Sequence, residues 1–314
     1  MLEAACPLCG AEECAPHLSA ACPERADEQF TIARCDACGM LFVNPRPATE
    51  ALSDYYPEEY FAYSFADAQP LNHLLKVRLW RALGMLPPPE RASADRLCFR
   101  AVRKLVAALR SARVAWTLPA PWAGARFLDI GCGAGQHLQF AAELGWDAFG
   151  VDFSAQGVAA AREHGFWATV GNAGALPLAD GSFDLISLMH MLEHAPDPLT
   201  VLRETARVIR PGGAVYVEVP NAAAWSLRRF RSGWTALELP RHLHHFTPRT
   251  LRAAAERAGL RVAALCVYGS PWVIGSSIER AGLTGPRAKL ARLQWRMHCA
   301  LGQGENLAVL LRRV

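Results

Sequence analysis

From residue 126 onward, short apolar runs alternate with stretches in which apolar residues recur at helical spacing. The runs with the length and composition of buried strands lie at 127–130, 148–151, 183–188, 214–219, 262–268 and 306–311. Between the runs at 214–219 and 262–268, Thr247 and Pro248 are typical of a helix start, and Gly259 is typical of a helix end. This alternation predicts an α/β fold of the Rossmann-like type, with helices on both faces of a mainly parallel sheet.

Composition divides the chain into three regions. Residues 1–60 are rich in cysteine and acidic residues, residues 61–120 are basic with helical spacing, and residues 121–314 carry the alternating pattern. With 314 residues, of which 52% are hydrophobic, the chain can bury a full core and has room for about two domains. We therefore expect a small N-terminal domain, a helical connector and a larger α/β domain.

Two CxxC pairs in the first region predict a metal site. Their cysteines are Cys6, Cys9, Cys35 and Cys38. Four thiolates at this spacing suit the tetrahedral zinc of a zinc ribbon, although iron in a rubredoxin-like site uses the same geometry. Disulfides are the alternative, but no secretory signal opens the chain, so we expect a reducing cytoplasm. Cys14 and Cys22 lie off the pattern and are not expected to be ligands.

Charge is distributed unevenly along the chain. Residues 1–60 hold eleven acidic and three basic side chains, whereas residues 71–117 hold ten basic and two acidic ones. Residues 222–262 hold eight basic and two acidic side chains. Because nucleic-acid binding depends on neutralising phosphates, the acidic first region argues against RNA or DNA as a partner of the ribbon. Apolar segments near residue 270 are interrupted too often to predict a transmembrane helix.

A glycine-rich loop follows the first predicted strand. Gly131, Gly133 and Gly135 satisfy GxGxG, while Gln136 breaks the dinucleotide pattern GxGxxG. Glycines at these positions let the backbone turn sharply and approach a ligand closely. Asp152 ends the next predicted strand, where a carboxylate can accept hydrogen bonds from both hydroxyls of a ribose. The sequence therefore predicts a nucleotide site at this edge of the sheet.

Across roughly residues 126–314, the chain resembles the class I S-adenosylmethionine-dependent methyltransferases. Besides the glycine loop, the resemblance rests on the segments 175–178, 180–184, 191–198 and 210–213. It implies a seven-stranded sheet and S-adenosylmethionine as cofactor. Asp129 would lie near the methionine part of the cofactor, and Asp152 would hold the ribose. Asn172 stands where the family commonly has Asp, and its amide oxygen would accept a hydrogen bond from the adenine amino group.

Two histidine-containing segments supply candidates for catalysis. His190, Glu193 and His194 follow the 183–188 strand, at the edge where ligands bind such sheets. His245 lies in a second cluster that also resembles the family. Either His194 or His245 could remove a proton from a hydroxyl acceptor. His190, Glu193 and His194 also resemble the metal-binding cluster of ubiquinone-type O-methyltransferases, although His190 replaces a Glu and suits zinc or iron better than magnesium.

The segment 34–47 with Tyr55 and Tyr56 resembles the zinc ribbon attached to many bacterial methyltransferases of small molecules, glycans and lipids. Aromatic and arginine side chains alternate over 225–234, which favours slightly an apolar, anionic acceptor, such as a lipid-linked sugar, and contact with a membrane surface. A lid with buried aromatics is the alternative. An RNA base methyltransferase and a non-catalytic cofactor-binding module remain as rival functions.

Overall fold

The computed structural model describes residues 1–57, Ala62 and residues 121–314. Within them, a seven-stranded sheet has the order β10-β11-β8-β7-β4-β5-β6. These strands are β4 (Arg126–Ile130), β5 (Asp147–Asp152), β6 (Trp167–Val170), β7 (Phe183–Met189), β8 (Ile209–Pro220), β10 (Leu260–Tyr268) and β11 (Asn306–Arg313). Strands β4 to β8 pair in parallel, and β11 pairs antiparallel with both β8 and β10. The predicted Rossmann-like, mainly parallel sheet is thus confirmed.

Helices connect and cover these strands. They are α1 (Gln136–Glu143), α2 (Ala155–Glu163), α3 (Pro198–Val208), α4 (Trp225–Phe230), α5 (Pro248–Arg257), α6 (Pro271–Arg280) and α7 (Gly285–Ala300). Successive residues of a strand point to opposite faces of the sheet. In β4, Phe127 belongs to the core that includes α1 and α2, whereas Leu128 belongs to the core that includes α3 and α5. Both faces of the sheet are therefore covered, as the sequence pattern predicts.

The predicted helix start at Thr247 is confirmed by its cap geometry. The Thr247 hydroxyl accepts a hydrogen bond from the Thr250 amide, and Pro248 occupies the first turn. At the other end, Gly259 has φ 76°, a left-handed conformation that terminates the helix at low steric cost. Strand β6 was not predicted, because its four residues alternate in burial and present no continuous apolar run.

A second sheet joins the N-terminal region to the α/β domain. Its strands have the order β1-β2-β3-β9, comprising β1 (Cys14–Ala21), β2 (Gln29–Cys35), β3 (Leu41–Val43) and β9 (His244–His245). All three pairings are antiparallel, and Leu41 lies opposite His245 in the ladder. A 3-10 helical segment, Thr49–Tyr55, follows β3. Because β9 comes from the later region, the N-terminal sheet and the loop carrying the predicted histidines form one packed unit.

No helix among the described residues is both long and apolar enough to cross a membrane. The predicted connector, residues 61–120, lies outside the described residues except for Ala62.

Candidate active site

The loop between β4 and α1 has the backbone that its glycines predict. Gly131, Gly133 and Gly135 adopt φ values of 83°, 49° and 92°, a region that disfavours other residues. A Cβ atom at Gly131 would lie 2.5 Å from Cγ of Met191, and one at Gly133 would lie 2.3 Å from the carbonyl oxygen of Ala62. Glycine is therefore required both by conformation and by close approach.

Asp152 is 6% exposed and organises this loop from the end of β5. Its Oδ2 accepts a hydrogen bond from the Gly133 amide and its Oδ1 accepts one from the Ser154 amide, each at 2.8 Å. Burial raises the pKa of Asp152, and the two backbone hydrogen bonds partly oppose that rise. Since each carboxylate oxygen can accept more than one hydrogen bond, the side chain can bind the loop amides and still accept hydrogen bonds from ribose hydroxyls.

The other two predicted cofactor residues differ in exposure. Asp129 is fully buried in β4, where the Ser187 hydroxyl donates to its Oδ1 at 2.5 Å. Its Oδ2 lies 3.5 Å from Nδ1 of His137. Asn172 is exposed, and its Oδ1 accepts a hydrogen bond from the Gly174 amide at 2.8 Å. The amide oxygen of Asn172 thus has one accepting position left for a ligand.

His190 lies between two buried carboxylates at the end of β7. Its Nδ1 is 3.3 Å from Oε1 of Glu193, and its Nε2 is 3.3 Å from Oε1 of Glu218. Desolvation by neighbouring atoms would lower the pKa of His190, whose side chain is 43% exposed, but the hydrogen bonds to Glu193 and Glu218 outweigh it and raise that pKa well above its usual value. A protonated imidazole cannot accept a proton, so the environment of His190 does not suit a general base at neutral pH.

Glu218 was missed in the sequence, where it reads as an ordinary residue of an apolar strand. It is 3% exposed and accepts hydrogen bonds from the hydroxyls of Tyr216, at 2.8 Å, and Tyr268. The Asn306 amide donates to the same carboxylate at 3.2 Å. Strands β8, β10 and β11 thus assemble a polar cluster beside His190, which only the strand order brings together.

His194 and His242 form a neutral histidine pair next to Glu193. Their ring centroids are 4.6 Å apart, and ligating atoms of all three residues lie within 4.8 Å of one another. Nδ1 of His194 lies 3.1 Å from the Arg241 carbonyl oxygen and 3.0 Å from the Tyr56 hydroxyl. A proton on Nδ1 would let it donate to that carbonyl, which can only accept, and would leave Nε2 unprotonated. Burial lowers the pKa of His194 to about 4 and that of His242 to about 3.

His245 is buried next to His242, on the side away from His194. Its ring centroid is 6.5 Å from that of His242, and the residue is 3% exposed. Burial, with a smaller contribution from His242, lowers the pKa of His245 to about 3. Its Nε2 is buried and makes no hydrogen bond within the described part of the chain. The structure therefore brings His190, Glu193 and His194 together at the sheet edge and places His245 in the packing between the two sheets.

Tyr56 connects the end of β5 to the histidine pair, a role that the ribbon resemblance does not predict. Its hydroxyl is 3.0 Å from Nδ1 of His194. Its ring contacts Phe153, the residue after Asp152, with centroids 5.6 Å apart. The Ala134 amide in the glycine loop also donates to the Ala62 carbonyl at 2.9 Å. The chain after the N-terminal sheet thus returns to the candidate site, and no local sequence signal indicates this.

The four predicted metal-ligating cysteines converge. Their sulfur atoms all lie within 4.8 Å of one another, and the Cys6–Cys38 and Cys9–Cys35 separations are each 3.5 Å. Sulfur atoms bound to one tetrahedral zinc lie about 3.8 Å apart, whereas a disulfide requires about 2.05 Å. The arrangement therefore fits a metal ion and not disulfides. Cys14 and Cys22 are not among these four, although Cys14 lies next to Cys35.

Two of the three aromatic side chains in the alternating segment 225–234 are buried, and the third, Trp225, is half-buried. Phe230 is 8% exposed and Trp234 is fully buried, and both pack in a core with β2 and α6. Arg228 and Arg229 point outward from α4. These two rings join α4 to the N-terminal sheet, as a lid with buried aromatics would, and the apolar, anionic acceptor stays a prediction.

Together, this strand order, the GxGxG loop and the acid ending the second parallel strand define the class I methyltransferase fold with a nucleotide-type site. A family profile described as a methyltransferase domain matches residues 91–265. The chain therefore belongs to this methyltransferase family.

Relatives and one solved structure give further comparisons. The ubiquinone biosynthesis O-methyltransferase of Xanthomonas oryzae is 36% identical over 133 residues, 40% of this chain and 56% of that protein. The protein of the same name from Ralstonia nicotianae is 36% identical over 159 residues, 46% and 67% of the two chains. The chain thus spans little more than half the length of the first relative. An S-adenosylmethionine-dependent methyltransferase from Mesorhizobium loti has 22% identity and a TM-score of 0.45, covering 62% of this chain and 94% of that one.

Proposed function

We propose that this protein transfers the methyl group of S-adenosylmethionine to a hydroxyl group of a small-molecule, glycan or lipid-linked acceptor. The proposal rests on one observation: the glycine loop at 131–135 lies close to the neutral histidine His194. Met191, in the segment leading to His194, contacts the loop at Gly131. Tyr56 spans from Phe153, beside Asp152, to His194. The relatives named O-methyltransferases support an oxygen acceptor.

The residues around the loop fit the cofactor. Asp152 would accept hydrogen bonds from the ribose hydroxyls, and Asn172 would accept one from the adenine amino group. The ring of Phe153, 58% exposed beside Asp152, offers an apolar face at the same place. When bound, S-adenosylmethionine supplies an electrophilic methyl group on a positively charged sulfur. The protein's task is then to align the acceptor and exclude water.

His194 is the proposed base. The Arg241 carbonyl holds the proton of its Nδ1, so Nε2 can accept the proton of the acceptor hydroxyl. A low pKa is compatible with this task, because a hydroxyl oxygen becomes strongly acidic as its bond to carbon forms. His190 would remain protonated between Glu193 and Glu218 and orient these carboxylates. His245 has no place at the reacting atoms in this proposal, because it is buried on the far side of His242.

A metal ion is the alternative use of the same side chains. His242 donates from Nδ1 to the Ala236 carbonyl at 3.0 Å, so its Nε2, which lies 3.8 Å from a carboxylate oxygen of Glu238, is the nitrogen that would bind a ligand. Two imidazoles with the carboxylate of Glu193 suit zinc or iron better than magnesium. This set replaces the predicted one, because His190 is engaged by Glu193 and Glu218. Activity that is lost on chelation while the four-cysteine site keeps its zinc, and that is restored by a divalent ion, would favour the metal over the base.

We also propose a structural zinc ion in the ribbon, held by Cys6, Cys9, Cys35 and Cys38, and a cytoplasmic location that keeps these thiols reduced. The divisions at residues 60 and 120 remain predictions. Zinc would order the strands β1 to β3, and through the β3–β9 pairing it would support the histidine loop.

The function is tested with methyl-labelled S-adenosylmethionine and fractionated host extract. Label is followed into lipid, soluble glycan, quinone and RNA fractions, with Asp152→Ala as the control that should incorporate little. Label in one of the first three fractions supports the proposal and identifies the acceptor class. Label in RNA alone would establish the rival base methyltransferase. If S-adenosylhomocysteine never forms in any fraction although the cofactor binds, the chain is a non-catalytic module.

A further inference from the structure

Helix α7 carries a row of apolar side chains on its outer face. Leu290, Leu293, Met297 and Leu301, the last just after the helix end, are each 55–70% exposed. Their spacing of three and four residues places them in one ridge, about 16 Å long at 1.5 Å per residue. The opposite side of α7 is the packed one, where Ala291 is buried and Trp295 donates to Glu305 at 2.8 Å. The ridge thus lies on the side of α7 away from these contacts.

Basic side chains flank this ridge. Between Gly285 and Ala300, α7 contains no acidic residue and has four exposed basic ones, Arg287, Lys289, Arg292 and Arg296. At about 100° per residue, Arg287 lies on one side of the ridge, and Lys289 and Arg296 lie on the other, each roughly 75–105° from its centre. An apolar ridge between two basic flanks is the arrangement of helices that lie in the plane of a membrane interface.

We propose that α7 is a docking surface for an anionic lipid bilayer, with the ridge inserted among the acyl chains and the basic flanks at the headgroups. A second copy of the chain fits less well, because a symmetric contact between two ridges would bring like charges together. Nucleic acid would use the cations but leave the ridge exposed to water. Trp272, 64% exposed at the start of the neighbouring helix α6, adds an aromatic side chain of the type found at membrane interfaces. None of these residues belongs to the candidate site, so the inference does not depend on methyl transfer.

The test is co-sedimentation of the whole protein with two kinds of vesicle, phosphatidylcholine alone and an equimolar mixture with phosphatidylglycerol. The parent should bind the mixed vesicles, and salt should weaken the binding because it screens the charges. Removing two flanking charges in Lys289→Gln/Arg296→Gln should lower the partition coefficient about 25-fold, about fivefold for each residue. Leu293→Ser/Met297→Ser, which keeps the charge, should lower it about tenfold or more.

Matched controls separate α7 from general surface effects. Val170→Ser removes an exposed apolar side chain from β6, at the far edge of the sheet, and Arg249→Gln/Arg252→Gln removes two exposed charges from α5. Both should bind as the parent does, and all variants should keep its affinity for S-adenosylhomocysteine. The proposal is overturned if the parent does not sediment with the mixed vesicles, as expected if another copy or residues 63–120 cover the ridge. It is also overturned if the controls lose as much binding as the α7 variants.

Discussion

Acidification should lower the free energy of unfolding, because the chain buries neutral histidines that become protonated on unfolding. The contribution of one of them, His245, can be measured by substitution. Its pKa is lowered to about 3, chiefly by burial and secondarily by His242 and His17. In the unfolded chain the same imidazole titrates near its ordinary value of about 6.5. Between these two values the unfolded state binds a proton that the folded state does not. The stabilisation is therefore fully present above the unfolded pKa and is lost as the pH falls.

The size of this effect follows from the two pKa values. From about pH 7 to about pH 5.5, protonation of the unfolded imidazole lowers the free energy of unfolding by about 1.3 kcal/mol for this one residue. His245→Phe keeps a planar aromatic ring, somewhat larger than imidazole, and removes the titration. The buried Nε2 makes no hydrogen bond among the described residues, so its loss leaves no described partner unsatisfied.

Urea unfolding of parent and variant at both pH values, in buffer with added zinc, measures the difference. Over this range the parent should lose about 1.3 kcal/mol more than His245→Phe does. His245→Gln should show the same difference, even though its stability at neutral pH reflects another packing, because it also lacks the titrating group. If parent and both variants lose equal stability on acidification, the burial argument for His245 is wrong.

Three further predictions concern the proposed sites. The purified protein should contain about one zinc per chain, and Cys35→Ser should release it; elemental analysis that finds no metal, with all four thiols titrating freely, would contradict the ribbon site. Calorimetry should show that Asp152→Ala weakens S-adenosylmethionine binding more than Asn172→Ala does, since each hydrogen bond to a charged acceptor contributes about 1.5–3 kcal/mol; equal affinities for parent and Asp152→Ala would refute this. His194→Ala should lower kcat about 10²–10⁴-fold with cofactor affinity nearly unchanged, and Tyr56→Phe should lower it less; parental turnover of His194→Ala across the neutral range would exclude that base.

The sequence alone determined the features that depend on neighbours along the chain. The conformation of the glycine loop could be predicted from the sequence, because glycine is the residue that tolerates the left-handed backbone at Gly131 and Gly135. The helix start at Thr247 follows from a hydrogen bond within one turn, and the cysteine knuckles follow from the short reach between Cys6 and Cys9. Apolar runs likewise located the buried strands, because a strand covered on both faces needs no polar side.

Only the tertiary structure decided which distant residues share an environment. Glu218 meets His190 because β7 and β8 are adjacent in the sheet, and Tyr56 reaches His194 because the chain after the N-terminal sheet passes over the histidine pair. His245 looked equivalent to His194 in sequence, yet pairing of β9 with β3 buries it behind His242. Burial and charge set the protonation of an imidazole, and both come from residues far away in sequence.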